Sequence, residues 1–151
     1  MTRIRCRIAT EGDIAFIDEV YRQNMAALHG VPRSEETWKQ LLSDQHSAYY
    51  IVYTSIAAAW FRLDEEDGGL WLGMLQVKPA CRRQGVGRAI LAAAEALAKE
   101  KGYSCLGIHT TRDNAAARGL YAACGYMLTE TGPCTTADGV ERVGCTYRKD
   151  L

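Results

Sequence analysis

The sequence predicts an α+β, or mixed α/β, domain with a mostly antiparallel sheet. Short strand-like runs alternate with segments of helical period along the whole chain. One run, "LWLGMLQV" (70–77), is apolar on both faces, as expected of a central strand covered on both sides. Two glycines after an acidic tetrad, at 64–69, mark a hairpin that feeds this strand from its neighbour.

The elements follow in order. "RIRCRIA" (3–9) reads as the first strand. Thr10 can cap a helix over 13–28, whose Ile14, Ile17, Tyr21 and Leu28 fall mainly on one face. "PRSEETWKQLLSD" (32–44) is the second helix, with Ser34 as its cap and Thr37 where a capping box would place Glu. Strands at 48–55 and 56–63 precede the hairpin turn, in which Asp64, Glu65, Glu66 and Asp67 are expected to be solvated. Pro79 ends the central strand. A helix over 87–101 carries Val86, Ile90, Ala94, Leu97 and Ala98 on one stripe and stops at Gly102. A strand at 104–110, a helix at 114–124 ended by Gly125, and strands at 126–130 and 142–148 complete the chain. Trp60 and Trp71 fall in adjacent strands and are expected to pair across them.

No repeat, low-complexity tract or linker divides the 151 residues, so a single domain over 1–151 is expected. Eighteen Lys and Arg balance eighteen Asp and Glu. With no net field, and no surface interleaving basic with aromatic residues, a nucleic-acid partner is not expected. Six cysteines without a C-x-x-C pair argue against zinc and against a secreted disulfide framework, and imply reduced thiols in a cytoplasmic protein. The N-terminus is charged where a signal peptide needs an apolar core, and no run suits a membrane span.

"CRRQGVGRAI" (81–90) places three arginines and two glycines between the buried central strand and a helix start. A helix N-terminus exposes unpaired N–H groups and about half a positive charge. Gly85 and Gly87 remove side chains that would hold a ligand off that backbone, and Arg82, Arg83 and Arg88 add charged donors. On these residues alone two readings stand, a phosphate or pyrophosphate site and a solvated basic turn capping a core helix. No Gly-Lys-Ser/Thr follows, so it is not a Walker loop, and a dinucleotide fingerprint would need a third glycine near Ile90. Cys81 beside two arginines has no His–Asp partner set that would make it a nucleophile.

The run 70–102, followed by "TTRDNAAARGLYAACGY" (110–126), resembles the GNAT superfamily of acetyl-CoA-dependent N-acetyltransferases. Arg82, Gly85 and Gly87 match that family's Gln/Arg-x-x-Gly-x-Gly/Ala turn, and Asn114, Ala117, Tyr121, Gly125 and Tyr126 match its second signature. Ile4, Arg5, Ala9, Thr10 and Asp13 match its opening more weakly, while 28–47 and the tail after 129 match nothing in it. The resemblance implies a central, mostly antiparallel sheet of six to seven strands flanked by about four helices, with splayed central strands forming the acetyl-CoA cleft.

The resemblance also implies the roles. The turn Arg82, Arg83, Gln84, Gly85, Val86, Gly87 and Arg88 would hold the coenzyme pyrophosphate, backbone near Leu75 and Val77 would pair with the pantetheine arm, and Asn114 would both cap its helix and touch the coenzyme. Tyr121 would be the general acid that protonates the departing thiolate. The acceptor implied is a small-molecule primary amine, with a protein N-terminus or lysine, or a non-catalytic acyl-CoA sensor, as alternatives. The central strand holds no carboxylate, so deprotonation by ordered water is expected; His109 at the end of the next strand reads first as a satisfied structural histidine, with a proton relay through water, or a carboxylate outside the central strand, as alternatives for the base. Glu35, Glu36 and His29 are candidates for recognising a cationic amine. The tail strand 142–148 could pair with a second copy in a homodimer.

Overall fold

The computed structural model describes residues 2–151. Seven strands, β1 (Arg5–Ile8), β2 (Ser47–Tyr53), β3 (Ala57–Glu66), β4 (Gly69–Val77), β5 (Cys105–Thr111), β6 (Met127–Thr135) and β7 (Glu141–Asp150), form one sheet in the order β1-β2-β3-β4-β5-β7-β6. Every pairing is antiparallel except β4 with β5. Four α-helices cover the sheet: α1 (Ile14–Leu28), α2 (Glu35–Leu42), α3 (Val86–Glu100) and α4 (Ala115–Ala123).

Side-chain alternation along the strands builds two cores. Tyr50, Val52, Ala59, Phe61, Leu70 and Leu72 meet α3 and α4 through Ile90, Leu91, Ala94 and Tyr121. Tyr49, Ile51 and Trp60 point the other way, onto Ile17, Val20 and Tyr21 of α1 and Trp38 of α2. Trp60 packs edge-on to Trp38 at 5.9 Å, and its strand partner is Gln76, not Trp71. Pairing across strands between the two tryptophans therefore does not occur, because the register sets Trp71 opposite Asp64.

Local signals act as the sequence suggested at most boundaries. The Thr10 and Asp13 capping box lies on a 3-10 turn, Glu11–Asp13, that leads into α1. Ser34 Oγ accepts the Thr37 N–H at 3.1 Å at the head of α2. The hairpin is tighter than expected. β3 runs on to Glu66, and only Asp67 (φ 51°) and Gly68 (φ 76°) make the turn, in the left-handed pair of a two-residue loop. Asp64 is consequently not solvated turn sequence. It is a strand residue paired with Arg62 at 2.8 Å and hydrogen-bonded to Ser47 at 2.7 Å.

β7 is likewise not a free strand. It lies between β5 and β6, so the sheet edges are β1 and β6, and the tail has no vacant side to offer a second copy. Both edges carry features that discourage further pairing: Arg5 and Arg7 on the short β1, and a bulge near Leu128 and Pro133 on β6. None of the described helices is long and apolar enough to cross a membrane.

One irregularity positions the site. β4 pairs with β5 only from Leu70 to Leu72. At that point Arg62 faces Met74 while Leu63 faces Leu72, leaving Gly73 as an extra residue on β4. Such a bulge bends its strand, and from here β4 turns away from β5. A side chain at Gly73 would meet the Arg62 Nε at 2.6 Å, so the bulge sits directly against the Arg62–Asp64 pair.

Candidate active site

The divergence leaves one side of β4 without a strand neighbour. The Lys78 N–H donates to the Ala58 carbonyl, and antiparallel pairing alternates, so the backbone groups of Leu75 and Val77 point away from β3 into the gap. The gap is a cleft of about 290 Å³ lined by Leu75, Val77, Arg82, Gly87, Asn114 and Tyr121, together with Asn24 of α1. Six residues singled out in the sequence thus meet in one place. Asn24 was not among them.

The glycine loop stands at the head of this cleft. Arg83 (φ 61°) and Gly85 (φ 78°) adopt left-handed backbone at alternate positions, an arrangement that turns successive N–H groups inward as an anion-binding nest. Among the described residues no acceptor is found for any backbone N–H from Arg83 to Arg88; the first ladder bond of α3 is Ala89 N–H to the Gly85 carbonyl. The Thr2 hydroxyl donates to the Gln84 carbonyl and so occupies the loop's acceptor side, leaving its donors free. Arg83, Gln84 and Arg88 are exposed around this nest, whereas the Val86 side chain is buried in the α3 core and can contribute only its N–H. These are the features a diphosphate needs: bare backbone, unpaired donors and adjacent guanidinium groups.

Arg82 behaves differently from its neighbours. Its guanidinium donates to Asn24 Oδ1, and Asn24 Nδ2 donates in turn to Gln76 Oε1 and to the Val77 carbonyl, each at 3.0 Å. Asn24 and Gln76 are 8% and 2% exposed, so this polar chain runs from the exposed Arg82 into a buried wall of the cleft. Val77 therefore keeps its N–H for a ligand but has already committed its carbonyl. The signal for Asn24 lay in the sequence as a polar residue on an otherwise apolar stripe of α1 with Ile14, Ile17, Val20 and Tyr21. Asn24→Ala leaves the Gln76 and Val77 acceptors without their buried donor. A loss of about 1–3 kcal/mol is expected, read by calorimetry as a fall in Tm of roughly 2–12 °C.

Across the cleft, α4 presents Asn114 and Tyr121. Asn114 Oδ1 caps the helix by accepting the Ala117 N–H at 3.2 Å, and among the described residues its Nδ2 has no partner. Tyr121 is 7% exposed, with its ring edge-on to Tyr147 at 5.7 Å. Its hydroxyl has no hydrogen-bond partner among the described residues. Burial, with Tyr147 adding a smaller contribution, pushes the phenol up to about 12. Gly125 (φ 89°) ends the helix, and Lys149 fastens that end through Glu95 at 2.9 Å and the Cys124 carbonyl at 2.9 Å.

A second cleft of about 450 Å³ shares Ala27, Leu28 and Asn114 with the first. It is walled by residues of β5, β6 and β7 and by the end of α1. His109 and Glu130 line it. His109 is exposed, stacks on Trp71 at 4.4 Å, and is hydrogen-bonded through Nδ1 to Thr146 Oγ1 at 3.0 Å. Glu35 lies elsewhere, in a pocket with Asp18 and Trp38, and Glu36 is exposed on the same turn of α2. His29 is tied to Asp113 at 2.8 Å; the Thr111 hydroxyl first, then His29, holds the Asp113 carboxyl below its ordinary range.

Against known proteins, the acetyltransferase (GNAT) family model matches residues 14–126. The chain belongs to that family. A GCN5-related N-acetyltransferase 10, chloroplastic, from Arabidopsis thaliana is 33% identical over 73 residues, which are 48% of this chain. The match spans only 28% of that plant protein's length. Among solved structures, the ribosomal-protein-S18-alanine N-acetyltransferase of Escherichia coli superposes with a TM-score of 0.78 at 20% identity, covering 99% of this chain and 94% of that one. The PaiA N-acetyltransferase of Thermoplasma acidophilum, solved in complex with coenzyme A, does so with a TM-score of 0.76 at 19% identity over 99% and 100% of the two chains. The seven-stranded sheet, the split between β4 and β5 and the four helices are thus the GNAT fold expected from the sequence.

Proposed function

We propose that the chain transfers the acetyl group of acetyl-CoA to the primary amine of a small molecule by direct attack, with Tyr121 as general acid. One observation carries this reading. The unpaired N–H groups from Arg83 to Arg88 lead into the open side of β4, and Tyr121 stands across that same cleft.

Acetyl-CoA supplies an activated thioester when bound; the rest is work for the protein. The Arg83–Arg88 nest and the α3 N-terminus favour a diphosphate, with Arg83 and Arg88 adding charge. The Leu75 N–H and C=O and the Val77 N–H are left to pair with amides, as an added strand would. Asn24, by holding both Arg82 and the Val77 carbonyl, keeps the cleft wall in place. Tyr121 holds a proton over the cleft and gives it to the departing sulfur, while Leu120 and Ala117 exclude water beside it. The adjoining 450 Å³ cleft is of a size that suits a small acceptor rather than an extended chain.

Release of free thiol from acetyl-CoA, followed with a chromogenic disulfide, tests the reading. The acceptors are n-butylamine, glycine ethyl ester, spermidine and a tetrapeptide with a free amino end. Amine-dependent release with the small acceptors is expected. Binding of acetyl-CoA without release would make the chain an acyl-CoA sensor, and turnover confined to the peptide would move the acceptor to protein ends. Protection against unfolding by ATP as strong as that by acetyl-CoA would make the nest a nucleotide site.

A further inference from the structure

The sheet face beyond the split carries a row of three polar side chains on neighbouring strands. His109 of β5 is opposite Thr146 of β7, and Thr146 is opposite Glu130 of β6. All three line the second cleft. β4–β5 pairing ends at Leu72 with Ile108, so His109 is the first residue of β5 without a β4 neighbour. Its side chain leaves the face opposite Ile108, which is buried in the α3 core. The imidazole is held twice: flat on the Trp71 indole, with an interplanar angle of 8°, and at Nδ1 by the buried Thr146 hydroxyl. Trp71 is itself seated over Gly107, where a side chain would meet its ring, and the Arg148 guanidinium stacks on the same indole at 4.5 Å. Glu130 is exposed and makes no ion pair or hydrogen bond among the described residues.

We infer that this row is the amine-accepting half of the site: Glu130 receives the acceptor as its ammonium ion, and His109 Nε2 takes the proton that must leave before attack. The inference rests on the proposed acetyl transfer. In the tautomer that donates Nδ1–H to Thr146 Oγ1, the lone pair of His109 is on Nε2, and the ring lines the cleft. The ammonium loses one proton to Nε2. The nitrogen lone pair then forms the C–N bond, the thioester C–S bond breaks with its electron pair on sulfur, and the sulfur takes the Tyr121 proton. The second amine proton restores the Tyr121 phenol through water, and His109 returns its proton to solvent. The net change releases one proton for each ammonium acetylated. The acceptor class is a compact, cationic primary amine, since the wall beside Glu130 and His109 is otherwise formed by uncharged groups such as Pro133, Cys134 and Leu28.

The test uses the full chain, the four acceptors above, and the variants His109→Gln, Thr146→Val and Glu130→Gln. His109→Gln is expected to lower kcat/KM for the amine about 10²–10⁴-fold at neutral pH, with recovery as pH rises and free amine becomes available, at unchanged acetyl-CoA affinity. The deficit should be smaller for glycine ethyl ester, the less basic amine, than for n-butylamine. Thr146→Val should reproduce part of the kcat loss without changing KM. Glu130→Gln should raise KM for the amine about 10-fold while leaving kcat in place. Wild-type turnover with full neutral-pH activity in His109→Gln, or an unchanged amine KM in Glu130→Gln, would overturn this inference and leave acetyl transfer standing. Absence of turnover by the wild type with every acceptor would overturn both.

Discussion

Tyr121→Phe is expected to lower kcat about 10²–10⁴-fold while acetyl-CoA affinity stays within about twofold. The substitution is unusually clean. The Tyr121 hydroxyl has no partner among the described residues, so its removal orphans no buried group, and the ring contacts with Tyr126 and Tyr147 are retained. A phenol pushed up to about 12 is protonated at every working pH, so the acid is always loaded. The sign follows: ionisation of Tyr121 would remove activity only as pH rises towards 12, and any alkaline decline well below that belongs to another group. Single-turnover kinetics with saturating acetyl-CoA measure the step directly, and equal rates in the two proteins would remove Tyr121 from the chemistry.

Gly85→Asp is expected to weaken acetyl-CoA binding about 100-fold, with Gly85→Asn retaining most of the affinity. Both side chains tolerate the left-handed backbone that Gly85 adopts at φ 78°, so the comparison separates charge from conformation. A Cβ there meets the Thr2 hydroxyl at 2.9 Å, a contact common to both variants that cancels in the comparison. Only the aspartate places a carboxylate on the N–H nest, where it competes for the donors and repels a diphosphate. Titration calorimetry with CoA and with pantetheine, which has no diphosphate, reads the difference; equal losses in both variants would place the diphosphate elsewhere.

Much of this site was legible because its signals are local. A glycine in a left-handed turn ahead of a helix leaves unpaired N–H groups wherever the rest of the chain goes, so the turn from Arg82 to Arg88 was legible as an open turn, while its spacing alone left both an anion site and a solvated basic turn standing. Asn114 caps α4 and Tyr121 follows on the buried stripe by helical period alone. The family likeness joined these pieces into one cleft. Local reading failed where a residue's surroundings come from distant sequence. Asp64 was taken for turn because the acidic tetrad precedes two glycines, yet its partners Arg62 and Ser47 extend β3 through it. Arg82 was read as a phosphate ligand from its loop alone, and only the tertiary structure adds Asn24 of α1 as a hydrogen-bond partner for it.

The order of strands and helices, the glycine turn ahead of α3 and the place of Tyr121 on the buried stripe of α4 were determined by sequence by itself, since each depends on backbone preferences and periodicities acting over a few residues. Tertiary structure alone decided where β4 leaves β5, that β7 is interior, and that His109, Thr146 and Glu130 share a face. Those outcomes are matters of strand register. A register is set by pairings between segments up to dozens of residues apart, and a shift of one position would send every side chain in the row to the other side of the sheet.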